Sequence, residues 1–236
     1  MTLVATAAPL ALYAVGFQTF VYMVLPSRRR TMWAPMVTGT VGAFLTIAAG
    51  LIFGFETIGL GAADPAVVIG WAVLAFLITS IIGGVMLMRP DLRSQLADPR
   101  LAVLRPRQAF AQIFIRIPIM TALIEEAFFR GVLHAALMAL YPPSVALWGG
   151  AALFGLWHIG PALDQAHAAE RGNGAGAAHV AITVFATTFV GAALVWLRME
   201  TGSIWAPVVV HAGINMTMAL FARAAARRLR PASETA

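Results

Sequence analysis

The sequence predicts an all-α fold, a polytopic transmembrane helical bundle of seven spans, or eight. Three observations predict it. Hydrophobic residues make up 60% of the chain and charged ones 11%, with a mean hydropathy of +0.83. Several apolar runs reach the roughly 20 residues needed to cross a hydrocarbon core of about 30 Å. The arginines gather between those runs. At 236 residues the chain has room for one integral membrane domain, 1–236, with N-terminal spans within 7–88 and a motif-bearing half at about 108–222. The absence of cysteine excludes disulfides, thiolate nucleophiles and Cys-ligated zinc. A net charge of +6, carried on the basic side by arginine alone, lies beside hydrophobic spans. Membrane lipid is therefore the expected partner of that charge, and no nucleic acid partner is expected.

The first apolar run, Ala7 to Pro26, has no basic leader and exceeds a signal-peptide core, so it reads as a retained helix. Ser27-Arg28-Arg29-Arg30 closes it. A second span is expected from Met32 to Phe53 and a third from Ala66 to Met88, with a polar turn at Glu56 to Pro65 between them. The connection Arg89 to Gln108 carries five arginines. The positive-inside bias makes both arginine-rich segments cytoplasmic and the N-terminus external. A fourth span, Pro118 to Leu140, follows an interfacial helix at Phe110 to Ile117. Tyr141-Pro142-Pro143-Ser144 is an outer turn. A fifth span, Val145 to about Ile159, leads to a cytoplasmic loop at Pro161 to Gly176. The sixth runs from Ala178 to Leu197 and the seventh from Ile204 to Ala222. A tail with Arg223, Arg227, Arg228 and Arg230 makes the C-terminus cytoplasmic, so the expected location is a multi-pass cell-membrane protein. Small residues four apart, such as Gly50 with Gly54 and Ala151 with Gly155, suit close helix packing in lipid.

The fourth span holds the unusual chemistry: Glu125, Glu126 and Arg130 within an otherwise uncharged apolar stretch. Each charge at a bilayer centre costs about 3 kcal/mol on insertion scales, so such residues imply mutual satisfaction or function. Glu126 and Arg130 are four apart and share a helix face. Glu125 diverges from that face by about 100° and must find a partner on another helix. Two other spans offer polar pairs at the same spacing, Phe154 with His158 and His211 with Asn215. Counted at about 1.5 Å per residue, Glu125 and Asn215 each lie roughly 10 Å from the cytoplasmic end of their spans. His134, nine residues past Glu125, falls on the opposite face and reads as structural, as do the Phe128-Phe129 pair and the tryptophans.

Glu125-Glu126-Ala-Phe-Phe-Arg130, Phe154-x-x-x-His158 and His211-x-x-x-Asn215 together resemble the motif triplet of the CPBP family, the CAAX proteases and bacteriocin-processing enzymes also called Abi. The likeness spans about Pro118 to Leu220. It implies a multi-span intramembrane glutamic endopeptidase of the type II CAAX prenyl endopeptidase kind. By that resemblance Glu125 is the general base, His158 helps to position water, and His211 with Asn215 form the oxyanion donors. Glu126, Arg130 and Phe154 would orient the helices. The implied substrate is a membrane-associated peptide or protein, with a lipidated, CAAX-like C-terminus as the family's example. No cofactor is expected, and zinc held by Glu125, His158 and His211 is the alternative.

Other protease chemistries lack their residues. The four aspartates, Asp64, Asp91, Asp98 and Asp164, are expected in loops, so no membrane aspartyl dyad forms. There is no His-Glu-x-x-His. Ser203 lies in a short loop with no histidine nearby in sequence. Two non-protease alternatives use the same residues: a bacteriocin immunity or membrane scaffold protein of the same fold, and a transporter relaying protons through Glu125 and the histidines.

Overall fold

The computed structural model describes residues 3–25, 27–170 and 172–229, and the described residues form helices without strands. Seven long helical rods follow in order: α1, residues 3–24; α2, Ser27–Phe53; α3, Pro65–Met88; α4, residues 106–138; α5, Pro143–Ala168; α6, Asn173–Thr201; and α7, Trp205–Leu229. Five stretches are long and apolar enough to cross a membrane: Met36–Phe53 of α2, and α3, α5, α6 and α7 in full. The other two expected spans fall in α1 and α4. Pro26 and Arg230 lie outside the described residues.

Proline sets many of the boundaries. Pro65, Pro90, Pro99, Pro106 and Pro143 each begin a helix, where the missing N–H costs nothing. Asp64 and Asp98 cap two of these starts by accepting from Ala66 N and Arg100 N. Inside α4, Pro118 has no N–H to offer, and the helix passes it in widened π-type turns over Ala111–Leu123 and again over Ala127–Leu133. The three-residue segment Ile124–Glu126 between them carries both carboxylates.

Four expectations are corrected. Ser27 to Arg30 form the first turn of α2. Phe110 to Ile117, expected as a separate interfacial helix, are continuous with the fourth helix, because widened turns accommodate Pro118 within it. Most of Pro161 to Gly176 is helical: after a tight turn at His158, α5 continues as Ile159–Ala168 and α6 begins at Asn173. The polar residues there mark an amphipathic face. Asp164, expected in a loop, is buried on that face and meets Arg100 at 2.7 Å. Asp91 likewise sits in the short helix Pro90–Leu96.

α7 packs along α3, and α5 packs along α6. The second contact is close because Gly155 faces α6: a Cβ there would lie 2.0 Å from Thr188 Oγ1 and 2.8 Å from the Val184 carbonyl. The main apolar core joins α1, α4 and α5 through Tyr13, Phe128, Phe129, Phe154 and Trp157. Large apolar side chains on α3, such as Ile69, Phe76 and Ile81, are exposed, as lipid-facing residues are.

Candidate active site

Glu125 and Glu126 leave α4 in different directions and meet different surroundings. Glu126 is fully buried, and its Oε1 accepts from Arg130 Nη1 at 3.0 Å and from His211 Nδ1 of α7 at 2.7 Å. Arg130, also fully buried, donates through Nη2 to the Gly191 carbonyl of α6 at 3.1 Å. Its guanidinium carbon lies 4.1 Å from the Phe154 ring centroid. The same ring meets the imidazoles of His158 and His211 edge-on, with centroids 4.7 and 5.7 Å away. Phe154 thus packs against the buried cation and both imidazoles at once.

Glu125 is only partly buried and faces a cavity of about 320 Å³. Its Oε1 accepts from Trp157 Nε1 of α5 at 3.2 Å, whereas Oε2 has no partner. His158 and Asn215 line the same cavity. His158 Nδ1 lies 2.8 Å from the Phe154 carbonyl. A carbonyl only accepts, so Nδ1 carries the proton and Nε2 is the nitrogen left for chemistry. Of the expected constellation, Glu125, His158 and Asn215 therefore share one space. His211 does not line it; its Nδ1 is turned to Glu126. Among the described residues, no three His, Cys, Asp or Glu side chains gather as a metal site.

The cavity also has walls from the N-terminal helices. Tyr13, Gln18 and Tyr22 come from α1, and Thr38, Gly39 and Gly42 from α2. Tyr13 donates its hydroxyl to the Thr38 carbonyl, tying the two helices together. Gln18 is buried and donates through Nε2 to the Trp157 carbonyl at 3.4 Å. That carbonyl is available because the residue four positions on is Pro161, which has no N–H to return to it. Sequence reasoning missed Gln18 and the partnership of Trp157 with Glu125. A lone amide within the apolar run from Ala7 to Pro26 was the signal for the first; nothing in the spacing marked the second.

Residues 107–217 match the family model described as Type II CAAX prenyl endopeptidase Rce1-like. Over those residues, a little under half of its length, the chain is similar to the Rce1-like family. The Rce1-like segment begins near the start of α4 and ends just beyond Asn215, so it contains all three motifs and excludes Gln18. No curated protein and no solved structure matches the chain at a significant level. Its apolar helices make this a multi-pass membrane protein, and the match to a CAAX protease family is consistent with the CPBP proteases.

Proposed function

We propose that the protein is an intramembrane endopeptidase using Glu125 as its general base, without a metal or other cofactor, on membrane-associated substrates with lipidated C-termini. The observation that carries this reading is the unpartnered Oε2 of Glu125 on a cavity shared with His158 and Asn215. In the proposed reaction a water lies between Glu125 Oε2 and His158 Nε2. Glu125 takes a proton as the water oxygen bonds to the scissile carbonyl carbon, and Asn215 donates to the developing oxyanion. Collapse breaks the C–N bond, and Glu125 returns the proton to the departing amine. His211 acts at one remove, holding Glu126 and the edge of Phe154. This reading gives His211 a positioning role beside Glu126, where the family resemblance implies an oxyanion donor; the contact of its Nδ1 with Glu126 supports it.

The proposed orientation has the N-terminus outside and the C-terminus cytoplasmic, supported by arginines in the 89–107 connection and at Arg223, Arg227 and Arg228. Detergent-purified protein should release the last three residues from a farnesylated CAAX peptide, detected by mass spectrometry of both fragments. Absence of cleavage, together with identical membrane-protein C-termini in cells carrying wild type and Glu125→Gln, would overturn the reading.

A further inference from the structure

A second polar cavity, of about 410 Å³, opens at the end of the bundle where α2 and α6 terminate. It is lined by Thr57, His134, Ala135, Met138, Arg198 and Met199. None of these residues is acidic, and neither Glu56 nor Glu200 lines the space. His134 is 6% exposed, and its Nδ1 has no hydrogen-bond partner. An unsatisfied ring nitrogen on a residue that lines a cavity is unusual in a native fold and marks a place for a polar occupant.

Arg198 is held in place by the surrounding backbone. Its Nε donates to the Arg130 carbonyl at 3.2 Å, and that is the hydrogen bond its side chain makes among the described residues. The guanidinium lies on Gly59, where a Cβ would be 2.4 Å from Nε and 2.6 Å from Nη2. Gly59 also has φ +78°, so both space and backbone conformation require glycine. Its carbonyl accepts from Ile204 N at 2.9 Å and from Ser203 Oγ at 3.4 Å; Ser203 Oγ also reaches the Gly61 carbonyl at 3.2 Å. The 54–61 connection is thus clamped to the α6–α7 junction, with the arginine fixed beneath it and its terminal nitrogens left for a ligand.

The geometry points to a binding site for the phosphate of a membrane lipid. A guanidinium, an imidazole and the Thr57 hydroxyl supply donors suited to phosphate oxygens. Ala135, Met138 and Met199 supply an apolar flank for the start of an acyl chain. The site's position favours a lipid over a soluble anion: Phe53 and Thr201 end candidate spans, so the cavity lies at headgroup depth, beside exposed Met138 and Met199. The site is on the far side of the Glu126 and Arg130 pair from the Glu125 cavity, and Arg130 connects the two through its own backbone carbonyl.

Native mass spectrometry of the full chain from nanodiscs tests this with phosphatidylglycerol, diacylglycerol and inorganic phosphate as probes. Wild type should retain one phosphatidylglycerol through detergent exchange, and Arg198→Gln should lower its apparent affinity roughly tenfold, the loss of one charge-assisted contact. Arg198→Lys should recover part of it. Equal retention of diacylglycerol would overturn the phosphate contact, and saturation by inorganic phosphate with no added lipid would overturn the lipid. If Arg198→Gln does not fold, Met138→Trp provides the second measure: exposed at the cavity rim, it should displace the lipid without unfolding the protein. Undiminished retention in that folded variant would also overturn the site.

Discussion

Glu125 and Glu126 are neighbours in the chain and differ only in what the helix turns them toward. Around Glu126 the bundle is closed: Arg130 and His211 converge on one carboxylate oxygen, Phe154 covers the cation, and Glu126 is not among the residues lining the Glu125 cavity. Around Glu125 the bundle opens, with one oxygen fixed by Trp157 and the other unpaired. Both carboxylates keep a buried, unpaired Oε2, but of the two residues Glu125 is the one that lines the cavity. The comparison separates two uses of an expensive intramembrane charge. One carboxylate ties together three helices, and the other lines a cavity with one oxygen unpaired, as the proposed proton exchange requires.

The largest expected effect breaks the Glu125 side alone. Glu125→Gln keeps an acceptor for Trp157 Nε1 but removes the base, so peptide cleavage should fall about 1000-fold, within the range for losing a general base. The thermal midpoint should stay within a degree or two. A folded Glu125→Gln protein that still cleaves at the wild-type rate would remove Glu125 from the reaction.

Breaking the Glu126 side should have the reverse signature. Arg130→Met leaves a carboxylate with an imidazole but no permanent cation in a closed interior, a change that typically costs about 3–5 kcal/mol. The yield of folded protein and the thermal midpoint should both drop. Adding Glu126→Gln to Arg130→Met should restore part of the loss, because the unpaired charge is then gone. If the double variant is no better than the single one, the ion pair is not what Arg130 contributes.

Much of this division was legible before any coordinates. The four-residue spacing of Glu126 and Arg130 gave their shared face, and the divergence of Glu125 required a partner from another helix. What spacing cannot supply is which helix answers. Trp157 reaches Glu125 because α5 turns sharply at His158, and Gln18 reaches the Trp157 carbonyl because Pro161 leaves it free. Both depend on tertiary placement. Glycine and polar residues between 161 and 176 read as a loop because amphipathic helix and loop share a composition; what distinguishes them is tertiary, the burial of Ala162 and Ala166 on one side of the helix and the ion pair of Asp164 with Arg100 on the other. The contact of His211 with Glu126 was hidden from the sequence for a related reason. Helical spacing put it on the face of Asn215, but a turn of helix is long enough for one residue to meet Glu126 while the other lines the cavity.

A smaller change sharpens the Glu125 side. Trp157→Phe removes the indole N–H while keeping an aromatic ring against Phe129 and Tyr13. It leaves both carboxylate oxygens free to rotate, and the backbone carbonyl that receives Gln18 is untouched. Losing one hydrogen bond to a charged group is worth about 1.5–3 kcal/mol, so cleavage should slow by roughly 10- to 100-fold. Steady-state kinetics should place that loss mainly in kcat, since the bond aligns the base and not the peptide. A rise confined to KM would make Trp157 a wall of the substrate site instead.

The smallest effect is expected where neither carboxylate is felt. Ile81 on α3 is 67% exposed, and only 17% of the span window on that helix is buried within the protein, against 44% for α5. In a bilayer the surrounding acyl chains cover Ile81 about as well in the folded protein as in separated helices, so the hydrophobic driving force that makes core truncations costly in water is missing there. Ile81→Ala should therefore shift stability by less than about 0.5 kcal/mol and leave cleavage unchanged, measured in the same nanodiscs as wild type. Phe154→Ala, at the centre of the polar cluster, should cost about 3 kcal/mol or more by opening a void beside Arg130 and both imidazoles. If Ile81→Ala instead approached that cost, the outer face of α3 would be packed against protein, and a second copy of the chain, detectable by crosslinking from position 81, would be the partner to look for.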